Sequence, residues 1–236
     1  MKFRGKTVFV TGATGALGTV AVQRFAIEGA NIIALGRTDD SLARLREQIE
    51  STIPFLPLTC NIFDELEVRE SFEKARAHFG GIDILLATVG GINSQQIIAD
   101  IPLEEWNRMM ELNLTSTFLA IREMQRHLKG KSYGRIITIG AMSGLTPPAG
   151  RGAYAASKAG VIALTKSLAE EIKGSGITAN VIVPSILRTR ANMNSMPSED
   201  FTRWVSPDAV VSLMLHLCSD DGSAINGAIL QLFGGV

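Results

Sequence analysis

The chain has 236 residues, 46% of them apolar and 19% charged, and 23 basic residues balance 23 acidic ones. That composition excludes a disordered chain, and zero formal charge without a basic stripe argues against nucleic acid as a partner. The length suits one α/β domain with a sizeable core. Cys60 and Cys218 fit no metal spacing and no disulfide framework, so they read as buried thiols in a reducing cytosol. No signal peptide or apolar run of membrane-spanning length is visible, and a soluble, cytoplasmic protein with no membrane partner is expected. His78, His127 and His216 are scattered through helical stretches and receive no role.

Strand-like runs alternate with helical ones along the chain. A β-branched strand at 7–11 runs into a glycine-rich turn, and a helical pattern over 16–28 closes at Gly29. Strands follow near 31–35, 55–59 and 83–88, separated by helices near 40–51 and 64–79. A long helical pattern at 103–130 precedes a strand at 135–140, and another at 153–173 precedes a strand at 178–183. A helix at 207–218 and a strand at 228–232 complete the series. The alternation predicts one α/β domain over 1–236, a Rossmann-type doubly wound parallel sheet of about seven strands with helices on both faces. Gly80-Gly81 and Gly174-Ser175-Gly176 punctuate two of the boundaries. Only 184–206, rich in Ser, Asn, Arg and Pro, resists assignment. It follows a strand's carboxyl end, where open α/β sheets bind ligands, so it is either a substrate-covering loop or a plain surface connection.

Two motifs carry chemistry. In Thr11-Gly12-Ala13-Thr14-Gly15-Ala16-Leu17-Gly18, Gly12 permits a tight turn, while Gly15 and Gly18 let backbone approach a pyrophosphate at a helix N-terminus. Tyr154 and Lys158 stand four residues apart in Tyr-Ala-Ala-Ser-Lys, which stacks them on one helix face. An ammonium beside a phenol favours the phenolate, so the Tyr154 pKa is expected to fall toward neutrality.

Together with Asn113 in Leu-Asn-Leu-Thr-Ser and Pro184 through Thr189, these motifs resemble the short-chain dehydrogenase/reductase family, in family order over essentially the whole chain. The resemblance implies that Tyr154 is the general acid/base and that Lys158 holds the cofactor ribose and activates the tyrosine. It implies that Asn113 supports a proton path to Lys158 and that Thr189 touches the nicotinamide amide, unless that threonine merely caps a turn. Cofactor contacts are implied for Gly12, Thr14, Gly15, Ala16, Leu17, Gly18, Gly90 and Pro184. Family members commonly pair through the helices near 103–130 and 153–173, so a homodimer or homotetramer is expected. Trp106, Met109, Met110, Leu114, Phe118 and Ile121 give the first of these helices more apolar surface than one sheet face needs.

The second strand ends at Gly36-Arg37, where NAD-selective members have an acidic residue. A guanidinium at that place can pair with a 2′-phosphate, so NADPH is preferred and NADH remains possible, with Asp39 and Asp40 nearby to blunt the preference. Asn61 stands where the family usually has an adenine-contacting Asp.

Other departures bear on the reaction. The family's catalytic serine lies thirteen residues before the tyrosine, and here that position is Ala141. A lost oxyanion donor costs about 3–4 kcal/mol, although Ser143 offers a hydroxyl two residues on. The usual Asn-Asn-Ala-Gly after the fourth strand is replaced by Ala87-Thr88-Val89-Gly90, and Ala16 replaces a common glycine. The quinonoid dihydropteridine reductase branch also has alanine for that serine. It is similar at Gly15-Ala16-Leu17-Gly18, at Val89-Gly90-Gly91 and at Ser195-Met196-Pro197-x-x-Asp200-Phe201-x-x-Trp204. A flat conjugated acceptor spreads its charge and needs no dedicated oxyanion donor, and Phe201 and Trp204 would either stack on it or pin the loop. Three functions therefore stand: hydride transfer from NADPH to a small imine or quinonoid acceptor of dihydropteridine type, general NADPH-dependent carbonyl reduction aided by Ser143 or water, and nucleotide sensing with little turnover.

Overall fold

β-Branched and aliphatic residues fill the strands so densely that most read as unbroken apolar runs, the mark of parallel strands covered on both faces. The computed structural model describes residues 1–236 and forms one sheet from β1 (Thr7–Thr11), β2 (Asn31–Gly36), β3 (Phe55–Thr59), β4 (Ile84–Ala87), β5 (Gly134–Ile139), β6 (Ile177–Pro184) and β7 (Ile229–Leu232). The strand order is β3-β2-β1-β4-β5-β6-β7, and every neighbouring pair is parallel. The order reverses between β1 and β4, which opens a crevice at their carboxyl ends.

Two cores lie on opposite faces of the sheet. On one, Val8, Val10 and Ile84 meet Phe25 of α1 (Ala16–Ile27) and Met214 of α8 (Pro207–Cys218). On the other, Phe9, Ile33 and Leu85 meet Phe72 of α3 (Glu65–Phe79), Met124 of α5 (Ser116–Leu128) and Leu168 of α6 (Gly152–Glu171). Local chemistry sets the ends of α3: Asp64 accepts from the N–H groups of Leu66 at 2.8 Å and Glu67 at 3.0 Å, and Gly80 closes it in the left-handed region at φ 76°. No helix is long and apolar enough to cross a membrane.

Three expectations shift. α2 (Asp39–Arg46) stops short of residue 51, because the Arg46 guanidinium bonds the carbonyls of Glu50, Ser51 and Ile53 and folds that stretch into a turn. The long pattern at 103–130 is α4 (Leu103–Met109), one π-helical turn over Met110–Thr115, and α5, ending at Leu128. The unassigned loop contains a short helix, α7 (Arg190–Ser195), and a 3-10 turn at Phe201–Arg203.

Phe9 and Phe72 are fully buried and stack with ring centroids 4.2 Å apart, joining β1 to α3. Phe72→Ala is expected to lower unfolding free energy by about 3–5 kcal/mol in a denaturant titration, and a loss below about 1 kcal/mol would contradict this packing.

Candidate active site

The crevice is floored by the glycine turn. Gly12 takes φ +64°, and a side chain there would press on Val89 at the end of β4. Gly18 is confined more severely, since a Cβ would lie 2.2 Å from the Gly12 carbonyl oxygen. The Gly15 N–H donates to Gly12 O at 2.9 Å, and Gly15 caps α1 without a side-chain bond. Ala16 and Leu17 open the helix, so its first-turn N–H groups face the crevice with no side-chain acceptor, as an anion site requires. Thr14 lies against the end of β2, where a Cβ on Gly36 would meet its methyl at 3.3 Å. This cradle fits a dinucleotide pyrophosphate.

At the carboxyl end of β4, Gly90 brings the chemistry together. A Cβ there would lie 2.9 Å from Asn113 Oδ1 and 3.0 Å from Lys158 Nζ. Asn113 sits in the π-helical turn, fully buried, where the extra residue per turn aims its amide at the strand end. It accepts from Gly91 N–H and donates to Gly91 O, both at 3.0 Å, and also donates to Ser157 Oγ at 3.1 Å. Lys158 donates from Nζ to Ile139 O at 2.9 Å. Ser157 in turn donates to Tyr154 O at 2.7 Å, so one turn of α6 carries all three groups.

Burial, rather than mutual charge, sets the two titrating groups. It pulls Lys158 down from 10.5 to about 8. It pushes Tyr154 up from 10.0 to about 12, with only Arg151 pulling the other way. The expected fall of the Tyr154 pKa is therefore corrected: the ammonium is turned to the Ile139 carbonyl, and desolvation of the phenolate dominates.

Ala141 is buried and extended at the end of β5, and the 3-10 turn Met142–Gly144 follows it. Gly144 is pressed against α6, since a Cβ would sit 2.9 Å from Ala159 N and from the Lys158 carbonyl carbon. Ser143 lies between these fixed points, half-buried, and its hydroxyl has no partner in the protein.

The 184–206 loop is tied at its base. Pro184, the last residue of β6, is buried beside Leu232, and Leu187 bridges Val205. Thr189 accepts from Asn192 N–H at 3.2 Å and caps α7. The Phe201 and Trp204 rings meet at 4.8 Å, and Trp204 is 5% exposed, so the pair clasps the loop to the domain and only Phe201 keeps open surface. At the far side of the crevice Arg37 is exposed and belongs to none of the ion pairs, while Asp39 accepts the Thr59 hydroxyl. Asn61 is exposed and accepts from Phe63 N–H at 3.2 Å, leaving its amide nitrogen free.

Sequence reasoning passed over Ser157 and Thr88. Ser157 was visible inside Tyr-Ala-Ala-Ser-Lys, three residues after the tyrosine. Thr88, whose hydroxyl donates to Thr11 O at 2.6 Å and joins the two strand ends, stands in the segment that replaces Asn-Asn-Ala-Gly, a pattern that marks the place but not the bond.

Lys158 has a stability consequence of definite sign. The unfolded chain keeps this proton to about 10.5 and the folded one releases it near 8, so between these values the unfolded state binds more protons. Stability therefore rises with pH across that window, by about 3 kcal/mol, while Tyr154 acts oppositely only above 10.0. In the cofactor-free protein, Lys158→Met is expected to remove this rise, read as the wild-type minus variant unfolding free energy between pH 7 and 10. A pH-independent difference would contradict it.

Known proteins are similar to this chain in sequence and fold. The family described as short chain dehydrogenase matches residues 6–200. The 3-oxoacyl-[acyl-carrier-protein] reductase of Escherichia coli (strain K12) is 32% identical over 246 residues, covering 100% of this chain and 99% of that one. The D-beta-hydroxybutyrate dehydrogenase of Cupriavidus necator is 32% identical over 252 residues, covering 98% of this chain and 97% of that one. Among solved structures, an NAD+-bound xylitol dehydrogenase superposes with a TM-score of 0.89 at 25% identity, each chain covered completely. With its seven-stranded parallel sheet and full-length relatives that are reductases and dehydrogenases, the chain belongs to the short-chain dehydrogenase family and is an oxidoreductase.

Proposed function

We propose that the protein is an NAD(P)H-dependent reductase of a small carbonyl acceptor, with Tyr154 as proton donor. The observation that carries the reading is the meeting of Asn113, Lys158 and the backbone at Gly90, beside a helix N-terminus that fits a pyrophosphate. The named relatives, which act on 3-oxoacyl and 3-hydroxybutyrate groups, support carbonyl chemistry.

A nicotinamide dinucleotide held here would supply the hydride. Gly12, Thr14, Gly15, Ala16, Leu17 and Gly18 would hold its pyrophosphate, Asn61 its adenine, and Gly90 and Pro184 its nicotinamide end, joined by Thr189, whose hydroxyl caps α7 as an acceptor and keeps its proton to donate. Arg37, free of any carboxylate, supports a preference for NADPH over NADH. Tyr154 passes its phenolic proton to the acceptor oxygen as charge develops there. Lys158, held near 8, carries a proton it can release close to neutrality, and Asn113 fixes the Gly91 amide and carbonyl beside it. Ser143 supplies the second donor to the oxyanion in place of Ala141, because its hydroxyl is otherwise unbonded and its turn is fixed against Lys158.

Ala141 favours a second reading, in which the acceptor is a conjugated imine or quinonoid of dihydropteridine type and needs no donor beyond Tyr154. Leu103, Trp106 and Phe118, exposed at 72%, 39% and 40%, support association into a homodimer or homotetramer, whereas Met109 and Ile121 are spent on the core.

Cofactor oxidation with a simple diketone and with quinonoid dihydropterin, using NADPH and NADH side by side, tests both readings. Tyr154→Phe is expected to abolish turnover. Ser143→Ala is expected to lower the diketone kcat about 10²–10³-fold without changing cofactor affinity. An unchanged diketone rate in Ser143→Ala, with faster turnover of the pterin, would replace the carbonyl reading by the conjugated one.

A further inference from the structure

The π-helical turn that delivers Asn113 is followed at once by two hydroxyl residues, Ser116 and Thr117, which the proposed reaction leaves unused. Ser116 is 1% exposed and Thr117 4%, so neither hydroxyl looks to water. Ser116 Oγ donates to Leu112 O and Thr117 Oγ1 donates to Asn113 O, both at 2.7 Å and both four residues back.

In an α-helix the carbonyl four residues back belongs to the residue's own N–H, and a hydroxyl that competes for it weakens or bends the helix. Here Ser116 N–H has gone to Glu111 O, five residues back. The Ser116 hydroxyl therefore takes the carbonyl that its own amide has left, and the Thr117 hydroxyl takes the equivalent place one residue on. The widening is local. Met109 before the turn has φ −67° and ψ −40°, and Ser116 after it has φ −59° and ψ −41°, both ordinary helical values.

Anchors on either side keep the additional residue in the turn. Asn113 is tied through its amide to Gly91 and Ser157, while Leu119, Ala120 and Met124 seat α5 in the core. A return to α-helical register would rotate Asn113 by about 100° relative to α5. Thr117 meets Asn113 directly, so the main-chain carbonyl and both polar atoms of that side chain are bonded.

We propose that Ser116 and Thr117 are positioning residues: their hydroxyls hold the π register that aims the Asn113 amide at Gly91 and keeps it beside Lys158. Both act through Asn113 and not on the reacting atoms. The kinetic part of this rests on the reductase reading above, and the structural part stands without it.

The test pairs a readout that needs no substrate with one that does. Exchange of the Gly91 amide proton, which is donated to Asn113 Oδ1, is followed by NMR in the cofactor-free protein. Hydride transfer from NADPH to butane-2,3-dione or to quinonoid dihydropterin is followed in single turnovers. Thr117→Val keeps the branched shape and removes the hydroxyl. It is expected to speed Gly91 exchange about 10-fold, to leave the amides of β1 and β2 unchanged, and to slow hydride transfer about 10-fold. Adding Ser116→Ala should enlarge both effects, and Thr117→Ser should restore wild-type behaviour, which also controls for misfolding. In a protein that already carries Asn113→Ala, Thr117→Val should change the transfer rate less than about two-fold, because the route through Asn113 is gone. Gly91 exchange at the wild-type rate in the double variant, or an undiminished loss on top of Asn113→Ala, overturns the proposal. Faster Gly91 exchange with an unchanged transfer rate overturns it as well. Faster Gly91 exchange in Thr117→Val, when the wild type reduces neither acceptor, upholds the structural role and overturns the reductase reading instead.

Discussion

Everything at the candidate site depends on one close approach, the passage of the Gly90 backbone between a buried amide and a buried ammonium. Asn113 Oδ1 and Lys158 Nζ lie 2.9 and 3.0 Å from where a Cβ would stand, so no side chain fits without displacing one of them. β4 delivers Gly90, the π-helical turn delivers Asn113 and α6 delivers Lys158, so three elements of different origin converge on a residue with no side chain. The π turn is needed for this: an unbroken α-helix from 103 to 128 would rotate Asn113 away from the strand end. The Gly91 amide and carbonyl, both bonded by Asn113, then lock the strand end in register with the helix.

That convergence is bought with desolvation. Lys158 has no carboxylate partner and its charge is stabilised chiefly by the Ile139 carbonyl, which is why burial lowers its pKa toward neutrality. A group that titrates near 8 can pass a proton onward, whereas an ordinary lysine would hold it. Tyr154 shows the converse: its neutral form is favoured by burial, which suits a residue that donates a proton only as negative charge grows on the acceptor. Arg151 is the one charge that moderates this.

Much of the fold was legible because its signals are local and repeated. Seven apolar runs alternating with helical periodicity allow few topologies other than a doubly wound sheet, and the strand limits agree with the structure to within a residue or two. The glycine turn and the Tyr154–Lys158 spacing were equally readable, since each is fixed by backbone geometry. Other features were not readable, for physical reasons. The end of α2 depends on where the Arg46 guanidinium bonds, and the π turn depends on tertiary packing of Asn113 against β4. The direction of the Tyr154 shift cannot be read from spacing, which reports proximity but says nothing of solvent, and desolvation outweighs the neighbouring ammonium. Arg151 and Asn93, fifty-eight residues apart, are brought together only by the bridge between Gln96 and Arg151.

Whether the gap at Gly90 holds Asn113 and Lys158 in working position is measured most directly by single-turnover reduction with Gly90→Ala. With folding checked by circular dichroism, the hydride-transfer rate is expected to fall at least about 10²-fold, because a methyl must displace the amide or the ammonium. A rate within a few-fold of wild type would mean that the meeting of these three elements does not govern the chemistry.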